Sequence, residues 1–159
     1  DCKTPGENKM KLADSLKEKL GERIREINIH NERRIYLTVD VKDLLECAGI
    51  LFREMDGRYI VASGADNSGS FEILYHFGFD RQGSVVSLRV LLAGKDPEVP
   101  SLSAVIPGIT YIEREMWELL GIRFTGHPGL RHFLLREDWP QGNYPLRKEG
   151  ATEGEKSEE

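Results

Sequence analysis

The sequence predicts an α+β fold: a small, mostly antiparallel sheet with helices packed on it, followed by an extended C-terminal strap. Three observations carry this. Residues 71–77 and 86–92 alternate apolar and polar side chains, and the Gly-containing segment 80–83 joins them as a hairpin. Strands joined by short turns are antiparallel neighbours, which a doubly wound sheet does not use. Residues 110–120 repeat apolar side chains at helical spacing, whereas residues 122–148 keep neither period.

Taken in order, residues 8–20 read as a helix, with Leu12, Leu16 and Leu20 every fourth position and Gly21 as a stop. Residues 23–29 alternate in part through Ile27 and Ile29. Residues 34–40 alternate cleanly through Ile35, Leu37 and Val39, and a turn at 30–33 joins the two strands. Asp40 is placed to cap a helix over 41–48, with Leu44, Leu45 and Ala48 as its buried face and Gly49 ending it. Asp56–Gly57 marks a turn, 58–63 a short strand, and the Gly, Ser, Asp and Asn of 64–70 a loop. Residues 94–107 hold Pro97, Pro100 and Pro107 and form a connector without a helix. The expected division is a flexible segment 1–8, the α+β domain 9–121, the strap 122–148, and a disordered tail 149–159 with five Glu and one Lys.

Composition narrows the function classes. The chain of 159 residues is long enough for one domain with a core of its own. Its net charge of −5 argues against general nucleic-acid binding, which a basic domain would serve. No apolar run approaches the roughly 20 residues needed to span a bilayer, and the start carries no signal-peptide pattern. Cys2 and Cys47 are too few for an iron–sulfur cluster, which takes about four thiolates. Cys47 lies in an apolar helical context and reads as a buried thiol in a reducing compartment.

Thr110 and Glu113 have capping-box spacing, and Gly121 stands where a left-handed residue ends helices. Ile109, Ile112, Met116, Leu119 and Leu120 share one stripe that faces the sheet. Arg114, Trp117 and Glu118 fall on the far side, with an Arg114–Glu118 pair at i,i+4 spacing. Glu113 and Glu115 flank the stripe on opposite sides and so form no acid–base pair. Trp117 needs cover, either from a partner or from the strap. The strap carries five Arg or Lys against two acids, a net of +3. Those cations lie among Phe124, Phe133, Trp139 and Tyr144, the residue types that anchor interfaces. Pro128, Pro140 and Pro145 stiffen it.

Glu113-Arg114-Glu115, Leu119-Leu120-Gly121-Ile122, Phe124, Gly126-His127-Pro128, Leu130-Arg131, Leu134-Leu135, Glu137-Asp138-Trp139 and Pro145-Leu146-Arg147-Lys148 occur in one fixed order. With 71–76 and 99–101 ahead of them, they resemble the signature of the thirty-kilodalton subunit family of respiratory complex I, an NADH dehydrogenase. The same module occurs in membrane-bound nickel–iron hydrogenases and related ion-pumping complexes. The resemblance spans roughly residues 40–148. Glu118 and Gly129 stand where the family commonly has aspartate, and Arg136 where it often has proline. These departures incline the reading toward the hydrogenase-related branch.

The resemblance implies a non-catalytic structural subunit of the hydrophilic arm of a membrane-bound, ion-translocating oxidoreductase, with no cofactor of its own. Iron–sulfur clusters and a nickel–iron centre would sit in partner subunits. The implied partners are a hydrogenase-like large subunit, a small iron–sulfur subunit and membrane subunits. The implied place is peripheral, on the cytoplasmic side of the cell membrane. The implied interface residues are Glu113, Arg114, Glu115, Trp117, Glu118, His127, Pro128, Leu130, Arg131, Leu134, Trp139, Pro145, Leu146, Arg147 and Lys148. Two alternatives stand beside this reading. One is an independent hydrolase or metal enzyme using His127 and His132, although their spacing fits no usual zinc pattern. The other is a nucleic-acid binder using the strap's cations.

Overall fold

The structure, a computed structural model, describes residues 5–31 and 33–148. The expected tail 149–159 and Cys2 lie outside the described residues. Helix α1 spans Pro5–Leu20, so residues 5–8, expected to be flexible, are helical. Strands β1 (Ile24–Asn31) and β2 (Arg34–Val39) form the first hairpin. After β2 comes a helical stretch whose α-helical part, α2, is Leu44–Gly49. Then β3 (Arg58–Asp66), β4 (Ser70–Phe79) and β5 (Ser84–Ala93) make an antiparallel meander. The five strands are ordered β1-β2-β5-β4-β3, and among the described residues β2 with β5 is the one parallel pairing within this sheet. The sheet is thus mostly antiparallel, as the alternation predicts.

Register follows from burial. Ile73 pairs with Val90, Tyr75 with Leu88 and Phe77 with Val86, all six fully buried. Ile35 and Leu37 of β2 meet Val86 and Leu88 from the other side. A one-residue slip would turn these side chains to solvent, so the pattern fixes the pairing. Leu12, Leu16 and Leu20 of α1 and Leu44, Cys47 and Ala48 of α2 close over the same cluster. Full burial of each such leucine contributes about 1.5–3 kcal/mol. On the opposite face Leu91 and Val61 remain exposed around a Glu72–Arg89 ion pair at 2.7 Å.

Several local expectations fail for identifiable reasons. Gly49 does not stop its helix: its φ of −61° is helical, and the chain continues as a π-helix over Ile50–Glu54. Asp40 caps nothing with its side chain and pairs with Arg25 instead. Leu45 is exposed and Cys47 takes its place inside, where burial pushes the thiol pKa up to about 11. Most of the expected loop 64–70 is strand, and only residues 67–69 turn.

Gly64 has a packing role there. A Cβ on it would lie 2.8 Å from Leu120 Cδ1 and 3.0 Å from Met116 Sδ, so its bare backbone lets the next helix approach. That helix, α3, spans Thr110–Leu120 as expected. The connector before it is less plain than predicted. Its strand β6 (Glu98–Pro100) pairs in parallel with β7 (Arg123–Thr125), which follows α3. Ile122 and Phe124 are buried with the core, so the first residues assigned to the strap pack within the domain. Among the described residues, no helix is long and apolar enough to cross a membrane.

Candidate functional site

The site is built on α3 and on the chain that returns across it. Met116 and Leu120 are buried against the sheet, with Ile109 just before the helix. Ile112 and Leu119 are half-buried at the margins of the expected stripe. The capping box does not form. Ile109 is the N-cap, and Glu113 turns inward, wholly buried. Its carboxylate accepts the Leu102 N–H at 2.8 Å and the Ser101 hydroxyl at 2.5 Å. It therefore ties α3 to the connector. Burial pushes its pKa up to about 7, against the lowering effect of those two bonds.

The far side of α3 is not bare. Glu118, expected to face away from the domain, is 3% exposed because the strap covers it. Its oxygens accept the N–H groups of Phe133, Leu134 (2.8 Å) and Leu135 (3.4 Å), with His132 Nδ1 at 3.2 Å. Desolvation raises its pKa, but the backbone N–H bonds outweigh it and hold the group below its usual value. One turn earlier, Arg114 donates to the carbonyls of Arg131 at 3.1 Å and His132 at 2.8 Å. The expected Arg114–Glu118 pair thus gives way to a two-handed clasp. The cation holds carbonyls and the anion holds N–H groups of one five-residue segment. The geometry follows from i,i+4 spacing, which sets the two side chains one above the other. Trp117 is half-buried beside them, its ring 5.4 Å from that of His132, so the strap is its cover.

The strap has two further attachments. His127 donates from Nε2 to Thr110 O at 3.1 Å and accepts the Gly129 N–H on Nδ1 at 3.0 Å, which defines its tautomer. At the other end Leu146 N–H meets Leu119 O at 3.0 Å. Arg147 donates to Leu120 O at 2.7 Å and to Gly121 O at 3.3 Å, satisfying carbonyls that the helix end leaves open. Its guanidinium lies 4.3 Å from the Tyr144 ring centroid and 5.0 Å from that of Phe71. The backbone N–H of Lys148 reaches Asp66 Oδ2 at 3.0 Å and lowers that carboxyl's pKa.

Gly121 adopts φ +70°, and a Cβ there would sit 2.6 Å from the Tyr144 ring. Gly121→Ala should therefore lift residues 144–148 while leaving the sheet folded. Arg147→Ala should weaken the same attachment by about 2 kcal/mol. Amide exchange at Leu146 measures both effects. It should accelerate roughly thirtyfold in Arg147→Ala, with β4 and β5 amides unchanged.

The clasp leaves large apolar side chains of α3 and of the strap outside. Tyr111, Phe133, Leu134 and Leu146 are 60, 47, 56 and 57% exposed. Arg114 lies over the Phe133 ring at 4.8 Å, and the Tyr111 and Phe133 rings are 5.5 Å apart. Pro128, Arg131 and Pro145 are exposed or nearly so, Leu130 is half-buried against the core, and Glu115 is half-buried. Trp139 is tied back within the strap, its indole N–H donating to Asn143 O at 2.9 Å. Asp66, Ser101, Phe71 and Tyr111 belong to this constellation but carry no recognisable spacing. They join only when β3, the connector and β4 meet α3. Both imidazole nitrogens of His127 are engaged, and Nδ1 of His132 faces Glu118. Neither arrangement presents a set of open ligands to a metal.

An α+β domain whose last helix clasps a basic, aromatic strap defines a scaffold module whose polar side chains bind its own backbone. The chain belongs to the family described as respiratory-chain NADH dehydrogenase, 30 Kd subunit, whose model matches residues 37–156. It is 34% identical over 123 residues to an NADH-quinone oxidoreductase subunit of Rhizobium meliloti (strain 1021), covering 77% of this chain and 58% of that protein. It spans about half the length, or less, of several other curated relatives. Its fold is that of a chain in an archaeal respiratory membrane complex, the membrane-bound sulfane sulfur reductase. That match has a TM-score of 0.73 and 19% identity, and covers 88% of this chain and 84% of the other. A trypsin-resistant fragment of Nqo5 also shares the fold, with a TM-score of 0.63 and 22% identity over 76% of this chain and 100% of that one.

Proposed function

We propose that this chain is a non-catalytic structural subunit of a membrane-bound, complex I-like oxidoreductase, and that α3 and the strap are its docking surface. One observation carries this. The clasp holds the backbone of 131–135 by its polar groups and leaves Phe133 and Leu134 outside, beside Tyr111. Exposed aromatic and leucine side chains on a rigid support are a preorganised interface, since little ordering entropy remains to be lost on docking. Family membership and the names of the relatives favour a respiratory complex as the setting, and the NADH-quinone oxidoreductase form over the hydrogenase form.

In this reading the partner that covers the surface is the hydrogenase-like large subunit, with a small iron–sulfur subunit and membrane subunits in the same assembly. The clusters, and any nickel–iron centre, belong to those partners. The chain sits peripherally at the cytoplasmic face. Affinity purification of the tagged chain from its native host in mild detergent tests this. Co-recovery of a large subunit and of membrane subunits is expected, and recovery of the chain alone would refute it.

A further inference from the structure

An open groove of about 430 Å³ runs beside the clasp, lined by Thr110, Tyr111, Arg114, His127, Pro128 and Arg131. Among the described residues it contains two guanidiniums and no carboxylate. Arg114 spends Nε and one terminal nitrogen on the strap carbonyls, and its remaining nitrogen has no partner among the described residues. Arg131 is exposed, and its side chain has no hydrogen bond or ion pair among the described residues. Two unpaired donor sets on one concave surface match a carboxylate, which a guanidinium can take through two parallel bonds. The groove's rim is aromatic: Tyr111 stands on it, with Phe133 5.5 Å away. The occupant must therefore bring apolar side chains next to its acid. A protein segment does this, whereas a free anion or a nucleic-acid backbone does not.

Resting on the subunit reading above, we propose that this groove receives an aspartate or glutamate, flanked by apolar residues, from a partner subunit of the same complex. The acid pairs with Arg131 and the free edge of Arg114, and its apolar neighbours cover Tyr111 and Phe133. Closing the groove excludes water and strengthens the ion pair. The pair also sets the register of the partner on α3, which the apolar patch alone would leave loose.

The test uses the full chain, tagged and expressed in its native host. Arg131→Lys keeps the charge and introduces a primary amine. A carbodiimide, which joins amines only to carboxylates in direct contact, is then applied to the purified complex. The expected result is one dominant cross-link from position 131 to an acidic residue of a partner subunit. Arg131→Glu should lower recovery of that subunit at least tenfold, while Arg131→Lys, which keeps the charge but loses the two-bond fork, should lower it several-fold less. A complex that assembles normally with Arg131→Glu, or that gives no cross-link to a partner, overturns the proposal and leaves the subunit reading standing. A cross-link to the chain's own residues 149–159 makes the acidic tail the occupant and also overturns it. So does a cross-link to a second copy of the chain. A wild-type chain recovered without any partner overturns the subunit reading itself.

Discussion

Replacing Glu118 with alanine will release residues 131–135 from α3 and weaken the docking proposed for that surface. The wild-type carboxylate is buried and accepts the N–H groups of Phe133, Leu134 and Leu135. Hydrogen bonds to a charged group contribute about 1.5–3 kcal/mol each, and they are not additive within one network. A loss of about 3 kcal/mol in strap docking is expected, with amide exchange at Leu134 faster by about two orders of magnitude. Glu118→Gln keeps one acceptor oxygen and should lose about half as much. The sheet should remain folded in both variants, because its core lies on the other side of α3. The pH dependence has a definite sign. The folded pKa lies below the ordinary 4.5, so the clasp is at full strength above that value and weakens as pH falls through the folded pKa. Unchanged exchange at Leu134 in Glu118→Ala would show that something other than this carboxylate holds the strap.

Glu113→Gln will stabilise the isolated chain at alkaline pH. Glu113 is wholly buried with no Lys or Arg paired to it among the described residues, and its pKa rises to about 7 from 4.5. The folded state therefore holds a proton that the unfolded state has released. The group's stabilising contribution is complete below about pH 4.5 and is lost as pH rises through about 7, with a total change of about 3 kcal/mol. Glutamine preserves the contacts: its oxygen takes the Leu102 N–H and its amide donates to Ser101 Oγ. His127 Nε2 lies 4.0 Å from the Glu113 carboxylate. The carboxylate's charge adds to burial in raising the pKa values of Tyr59 and Tyr75. Denaturant unfolding at pH 4.5 and pH 8 measures the effect. The variant should gain about 3 kcal/mol on wild type across that interval. A constant difference between the two proteins would show that Glu113 stays ionised in the fold.

These two glutamates show how far the sequence can be read. Helical spacing places Glu113 and Glu118 correctly on α3, and the apolar alternation of β2, β4 and β5 marks the correct strands of the sheet. Those signals are local, because each is a period within one element. The burial of both glutamates is not local. Glu113 is buried because Ser101 and Leu102 arrive from the connector, and Glu118 because residues 132–135 fold back over it. A charged residue on a helix's outer face reads as solvated until its cover is known. Gly64 misleads for the same reason. It looks like loop punctuation, but its missing side chain makes room for Leu120 and Met116 inside a strand. The β6–β7 pairing is invisible in the sequence because three-residue strands carry almost no alternation.

The strap itself is partly legible. Its arginines, prolines and aromatics mark it as a segment that must lie on something. The structure ties residues 127–148 to α3 and to the end of β3 through backbone bonds to His127, Arg114, Glu118, Arg147 and Asp66. The strap's own domain therefore holds residues that the family resemblance implies for an interface with partners. The large apolar side chains left outward are Phe133, Leu134 and Leu146 of the strap and Tyr111 of α3.

That surface sets the decisive measurement. Hydroxyl-radical footprinting reports side-chain exposure residue by residue, and it can be run on the isolated chain and on the purified complex. Tyr111, Phe133, Leu134 and Leu146 should be oxidised in the isolated chain and protected in the complex, while Leu91 and Val61 on the open sheet face change less. Protection of Leu91 and Val61 with Tyr111, Phe133 and Leu134 still oxidised would contradict a docking role for α3 and the strap, and would place the docking surface on the sheet.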